Sequence, residues 1–375
     1  MKRYLFIIYI TLGTIMVTSC GDRNQSDLIV EHTSPPAVVA NPELSKEEEI
    51  LLRYLKEEQY GQFGTYTNRL DSDQRNLVTT GHEVLSESAG LMMKYYAAKK
   101  NREAFEREWE TAKQVFDQET SLSYRYSPKL NKRYPVNAAV DDLRIIRALY
   151  DSTEIFEDSR YVDEANKYAS TFVDHTIVDD KLYDFYDEKY KTVNAFITLC
   201  YIDLATLSKL PLTEHSSMQL QTNMLDIIEA GYLSDKFPFY ETRYYYADNR
   251  FETAEINMVE AMLTVLHLAE VGNHKEASLL YIKEHVKNGT LFGRYSKEGK
   301  PATDIRSTAL YAIAAMIGHQ VDDEELYKDS ISEMKKFQIG DQSSPLYGGF
   351  GDPNTGQAYS FDNLMALYAL ALRQH

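Results

Sequence analysis

The sequence predicts an all-α fold, an (α/α)6-type barrel built from two concentric rings of helices. Three observations lead there. Apolar residues recur at a period near 3.6 over 46–60, 83–98, 103–118, 138–155, 160–175, 191–208, 214–232, 252–271, 274–287, 304–318, 322–337 and 358–373, which predicts twelve helices and no strand pair. These segments alternate in character. Those near 83, 138, 191, 252, 304 and 358 are apolar almost all round, as in RSTALYAIAAMIG, whereas those between are one-sided and charged, as in REAFEREWETAKQVF. A helix apolar on every side is buried, and a one-sided helix covers it. No self-similarity at a fixed period accompanies the alternation, which argues against a solenoid of repeated helix pairs.

The first elements are not part of the barrel. Lys2 and Arg3 precede the apolar run YLFIIYITLGTIMV, and small residues lead into Cys20. A basic start, a short apolar core and small residues read as a secretory signal over 1–19. A Cys directly after them resembles the lipobox of bacterial lipoproteins, so lipidation is expected at Cys20 and a membrane anchor with it. The protein is then expected on the extracellular face of the cell membrane. Residues 20–45 contain Pro35-Pro36 and no helical period, which fits a flexible tether. Ser45 and Glu48 form a capping box, and the helical domain is expected to run over 46–375. Cys200 lies in an apolar run and reads as a buried small residue.

Composition narrows the function classes. The formal charge is −17, and because Lys2 and Arg3 are the only charges before Cys20, the remainder carries −17 − 2 = −19. So acidic a surface disfavours nucleic acid and anionic substrates. Tyrosines number 29 against a single tryptophan, Trp109. A tyrosine offers a flat apolar face with a polar tip, a combination suited to sugar rings, although many will simply line helix contacts. The histidines are scattered, so no metal site and no cofactor are expected, and a monomer is expected.

Polar residues concentrate at the starts of the all-round apolar helices. In HEVLSESAGLMMKYY, Glu87 shares a face with Val84, Leu91 and Tyr95. If Thr80 and Glu83 form a capping box, Glu87 lies beyond the helix dipole; if the helix starts at Ser86, it is a first-turn acid. Asp141 and Asp142, Glu252, Glu255 and Asn257, Asp304 and Arg306, and Asp362 occupy similar starts. Paired carboxylates across a cleft are what glycoside hydrolysis needs, one protonated through burial and the other ionised. No Ser–His–Asp arrangement or phosphate loop competes.

These residues resemble glycoside hydrolase family 8, whose S-E-G-x-G-Y-x-M stretch opens an inner barrel helix with its Glu as general acid. Ser86, Glu87, Gly90 and Met92 match, while Ser88 and Leu91 depart. Ala139-Val140-Asp141-Asp142-Leu143 looks like the family's A-[ST]-D-[AG]-D-L with one residue lost, at a similar spacing of about 55 residues. The resemblance implies that Asp141 or Asp142 binds the sugar at the cleavage point. The family's Tyr-Asp-Ala-x-Arg segment, which carries the general base, has no clean match; Glu241, in Tyr240-Glu241-Thr242-Arg243, is nearest, with Asp248 and Glu252 as rivals. Tyr95, Tyr240, Arg306 and Asp362 are the candidate sugar contacts. The segments GHEVLSES-GL and N-A-A-x-D-D-L-R-I, the Gly348–Gly351 stretch and Phe361–Leu364 look closer to a divergent branch of exopolysaccharide-associated bacterial lipoproteins.

The expected activity is therefore hydrolysis of an extracellular polysaccharide, inverting by the resemblance, with acid and base about 6.5–9.5 Å apart. The alternatives are a non-catalytic glycan-binding lipoprotein serving polysaccharide export, a helical scaffold for a protein partner, and a polysaccharide lyase on the same barrel.

Overall fold

The computed structural model describes residues 44–75 and 78–372. The signal segment 1–19, Cys20 and nearly all of the tether lie outside the described residues. Among the described residues no helix is long and apolar enough to cross a membrane.

Among the described residues twelve α-helices follow in order: α1 (Lys46–Tyr54), α2 (Ser86–Ala98), α3 (Arg102–Phe116), α4 (Ala139–Ile155), α5 (Arg160–Thr176), α6 (Leu204–Leu207), α7 (Glu214–Ala230), α8 (Met258–Glu270), α9 (Glu276–Lys287), α10 (Thr308–Gln320), α11 (Glu324–Lys335) and α12 (Ser360–Ala371). The all-round apolar segments form the inner ring. α2 packs on α4, α4 on α6, α6 on α8, α8 on α10, α10 on α12, and α12 closes back onto α2. Outer helices pack behind them, α3 on α2, α5 on α4, α7 on α6 and α11 on α10. The burial follows the composition. Every residue of α10 from Thr308 to Gly318 is buried, whereas α3 buries one stripe, including Phe105, Trp109, Ala112 and Phe116. Ser45 caps α1 by accepting from the Glu48 amide at 3.2 Å, as the capping box requires.

Three expectations are corrected. First, 191–208 is not one helix. Phe196–Thr198 is a strand, Leu199–Tyr201 a 3-10 turn, and α6 has four residues. The strand pairs with Arg243–Tyr245, which pairs in turn with Arg250–Glu252. Thr192, Val193, Phe196, Ile197 and Thr198 are β-branched or aromatic, types that suit a pleated strand once a partner strand exists. Second, short antiparallel pairs recur in the loops, where no strand pair is expected from periodicity; most have two or three residues. Third, Thr80 and Glu83 do not cap a helix. Val84–Leu85 is a strand paired with Arg125–Ser127, and α2 begins only at Ser86.

Candidate active site

The cleft forms where the inner helices begin. Glu87 stands in the first turn of α2, Asp141 in that of α4 and Glu260 in that of α8. A narrow cleft opens there, and Glu87, Arg144, Asp184, Tyr201, Arg243 and Glu260 are on its wall. Cys200 is buried, as read from the sequence, and also reaches this wall.

The strand before α2 fixes where Glu87 points. Glu83, on the strand's near side, is drawn inward by Arg125, whose Nη2 is 2.7 Å from Glu83 Oε1; both side chains are buried. Gly90, one turn beyond Glu87, lets α4 come close. A Cβ there would stand 3.2 Å from Cγ and Cδ of Arg144. The Arg144 guanidinium then reaches the start of its own helix, with Nη1 2.6 Å from Asp141 Oδ1. Asp141 Oδ2 accepts from Ser86 Oγ at 3.3 Å.

The electrostatics separate the two carboxyls. Burial, and then the negative charge of Asp141, push Glu87 up to about 8, with Arg144 opposing. Burial also raises Asp141, although Arg144 and Ser86 oppose the rise. Of the pair, Glu87 is the one that keeps its proton.

Asp142 leaves this site. Its Oδ2 accepts from Asn137 Nδ2 at 2.7 Å, and it lines a different hollow. Consecutive helix residues project about 100° apart, so only one of Asp141 and Asp142 can face Glu87. That one is Asp141.

Two acids on the wall escape the sequence reading. Asp184 accepts from the Thr198 amide at 2.5 Å and from Thr198 Oγ1 at 2.6 Å, and burial still pushes it up to about 7. Glu260 Oε1 accepts a long bond of 3.3 Å from Asn257 Nδ2; burial raises its pKa, while Arg243 lowers it. Glu260 carries the same signal as Glu87, an acid in the first turn of an all-round apolar helix. Asp184 lies in a loop and carries none.

The remaining candidates lie off this wall. Glu241 pairs with Lys297. Asp248 and Glu252 flank Arg250 on an exposed hairpin, at 3.1 and 2.9 Å. Tyr95 is a core residue donating to Glu48 Oε1 at 3.2 Å. Tyr240 is buried against Tyr232. Arg306 donates to the Gly289 carbonyl at 3.2 Å. Asp362 serves the start of α10, accepting from the Ala309 amide at 3.0 Å, although its neighbour Phe361 lines the cavity.

Among the described residues, one group has metal-ligand atoms within 4.8 Å of one another: Asp203, His267 and Glu270. It lies toward the other end of the inner ring, where His267 and Glu270 close α8. The charges of Lys94 and Arg147 act on both carboxylates. Those cations already offset the acids, so the group reads as an internal ionic network.

No family model and no curated protein sequence matches the chain. Solved structures do. A novel alpha-amylase from Clostridium perfringens superposes with a TM-score of 0.80 at 31% identity, covering 87% of this chain and 97% of that one. PssZ from Listeria monocytogenes gives 0.68 at 21% identity, covering 87% and 95%. Endoglucanase Cel10, a family 8 glycosyl hydrolase from Klebsiella pneumoniae, gives 0.59 at 15% identity, covering 86% and 98%. The fold is thus the (α/α)6 barrel of family 8. The chain belongs to the same family as the Clostridium perfringens protein, a divergent branch of the family 8-like glycoside hydrolases.

Proposed function

We propose that this protein is a glycoside hydrolase that cleaves an extracellular polysaccharide by direct, inverting displacement. The observation that carries the reading is Glu87, a carboxyl kept protonated by burial beside Asp141, on a cavity wall shared with Glu260. Glu87 donates its proton to the glycosidic oxygen as the bond to the anomeric carbon breaks. Glu260 takes a proton from the water that attacks the anomeric carbon. Arg243 favours its ionised form, whereas both oxygens of Asp184 are already engaged by Thr198. Asp141, bound to Arg144, keeps its charge beside Glu87 and accepts from a sugar hydroxyl.

The relative with 31% identity is described as an alpha-amylase, so α-linked glucans are the first polymers to test, alongside the source cell's own surface polysaccharide. Reducing ends released by residues 21–375, and lowered at least about 10²-fold by E87Q, would support the reading. Binding of the polymer without release by either protein would favour the glycan-binding lipoprotein instead.

The anchored location is part of this reading. Ser45 borders a surface hollow with Gly318 and Leu372, at the C-terminal ends of α10 and α12. The cleft is at the N-terminal ends of the inner helices, the opposite end of the barrel from Ser45. Labelled fatty acid should enter the chain in cells and be lost with C20A; equal labelling of both would reject the anchor.

A further inference from the structure

A second hollow, of about 720 Å³ of open space, lies behind the cleft at the same end of the barrel. The loop after α3, the start of α4 and the end of α5 form it. Asn137 lines both this hollow and the catalytic cavity, so one side chain stands between them. We propose that this hollow is a second saccharide-binding site, taking a neutral sugar unit of the same polysaccharide that enters the cleft.

The floor is polar and buried. Asp142 is 4% exposed and Asn137 1%. Asn137 Nδ2 donates to Asp142 Oδ2 at 2.7 Å and to Thr176 Oγ1 at 3.3 Å, and its Oδ1 accepts from the Tyr186 amide at 2.6 Å. Asp142 Oδ1 is buried and has no partner in the protein. Buried polar atoms are nearly always bonded, so an orphan on a cavity floor points to a ligand or solvent that completes it. Burial raises Asp142 above the usual carboxylate range, with the Asn137 hydrogen bond opposing the rise.

The lining selects the ligand. Thr120, Thr171 and Thr176 supply hydroxyls, and Tyr168 and Phe172 supply rings. Lys167 also lies on the wall, with its Nζ 4.8 Å from the centre of the Tyr168 ring, but Asp117 and Glu119 outnumber it and disfavour anions. A bound cation is disfavoured as well, because these acids do not form a group whose oxygens come within sharing distance of one ion. A neutral polyol with an apolar face fits what remains. Opening on the same end as the cleft, the hollow lets one polymer engage both.

This inference rests on the polysaccharide reading, and the test separates the two. The full chain carrying E87Q, solubilised in detergent, is titrated calorimetrically with maltoheptaose and with cellohexaose. Thr171 and Glu119 lie on the rim, and T171W and E119W, each in the E87Q background, fill the hollow from different sides. Two binding events per chain, reduced to one by either tryptophan, support the second site. One event in all three proteins leaves the cleft reading standing and overturns the second site, whose contents are then water only. A stoichiometry of two that neither tryptophan changes also overturns it. No binding of either oligosaccharide by any of the three counts against both readings.

Discussion

Arg144 Nη1 lies 2.6 Å from Asp141 Oδ1, and this ion pair stands beside Glu87. The arrangement does two things at once. Arg144 opposes the rise that burial imposes on Asp141, and the negative charge of Asp141 adds to the burial that raises Glu87. A general acid acts only while it carries its proton, so activity should fall as pH rises through the Glu87 pKa, pushed up to about 8.

Removing the Asp141 charge should lower that pKa. The basic limb of the kcat/KM profile of D141N should therefore move to lower pH, by about one unit or more. R144M, which removes the opposing charge, should move the limb to higher pH. A limb that stays fixed in D141N would mean that Asp141 does not set the proton on Glu87.

The role of Glu260 has its own signature. E260A should lose at least about 10²-fold in kcat. Added azide should restore part of it, since the small anion fits the space left and attacks the anomeric carbon without needing a base. The product should be a glycosyl azide of inverted configuration. E260A that keeps its rate, or no azide adduct from a folded E260A, would remove Glu260 from the base role.

Glu83 and Arg125 form a buried ion pair below the strand that sets α2. Breaking it from one side leaves an uncompensated buried charge, so R125M should lower stability by about 3–5 kcal/mol in urea unfolding. The double variant E83L/R125M should recover much of that loss. A single variant within about 1 kcal/mol of the parent would show that the pair is solvated.

Glu108 is a buried acid remote from the cleft. It accepts from Tyr60 Oη at 2.8 Å, and burial pushes it up to about 7. Its folded pKa exceeds the unfolded value, so its contribution is fully present below about pH 4.5 and is lost as pH rises through 7. A gap of that size corresponds to about 3 kcal/mol. E108Q should flatten the fall in urea midpoint between pH 5 and 8 and unfold later than the parent at pH 8.

The helical rings were legible because burial writes itself into periodicity. Segments such as SFDNLMALYALAL are apolar on every side since each inner helix is surrounded, and their one-sided neighbours record a single contact. The segment 191–208 was not legible in this way. A buried strand and a buried helix are both continuous apolar runs, and Phe196–Thr198 becomes a strand only because Arg243–Tyr245 supplies its hydrogen bonds from some 47 residues away.

The site divides along the same line. By itself the sequence determined that an acid, Glu87, lies on an apolar helix near its start, and that the pair Asp141-Asp142 opens the next all-round apolar one, because local composition and helical spacing carry that information. Only the tertiary structure decided which of the two aspartates meets Glu87, that Glu260 and Asp184 share its cavity, and that Glu241, Asp248 and Glu252 do not. The physical reason is that these relationships join segments 54 to 173 residues apart. Ring closure brings those segments together, and no local pattern records which side chains then converge.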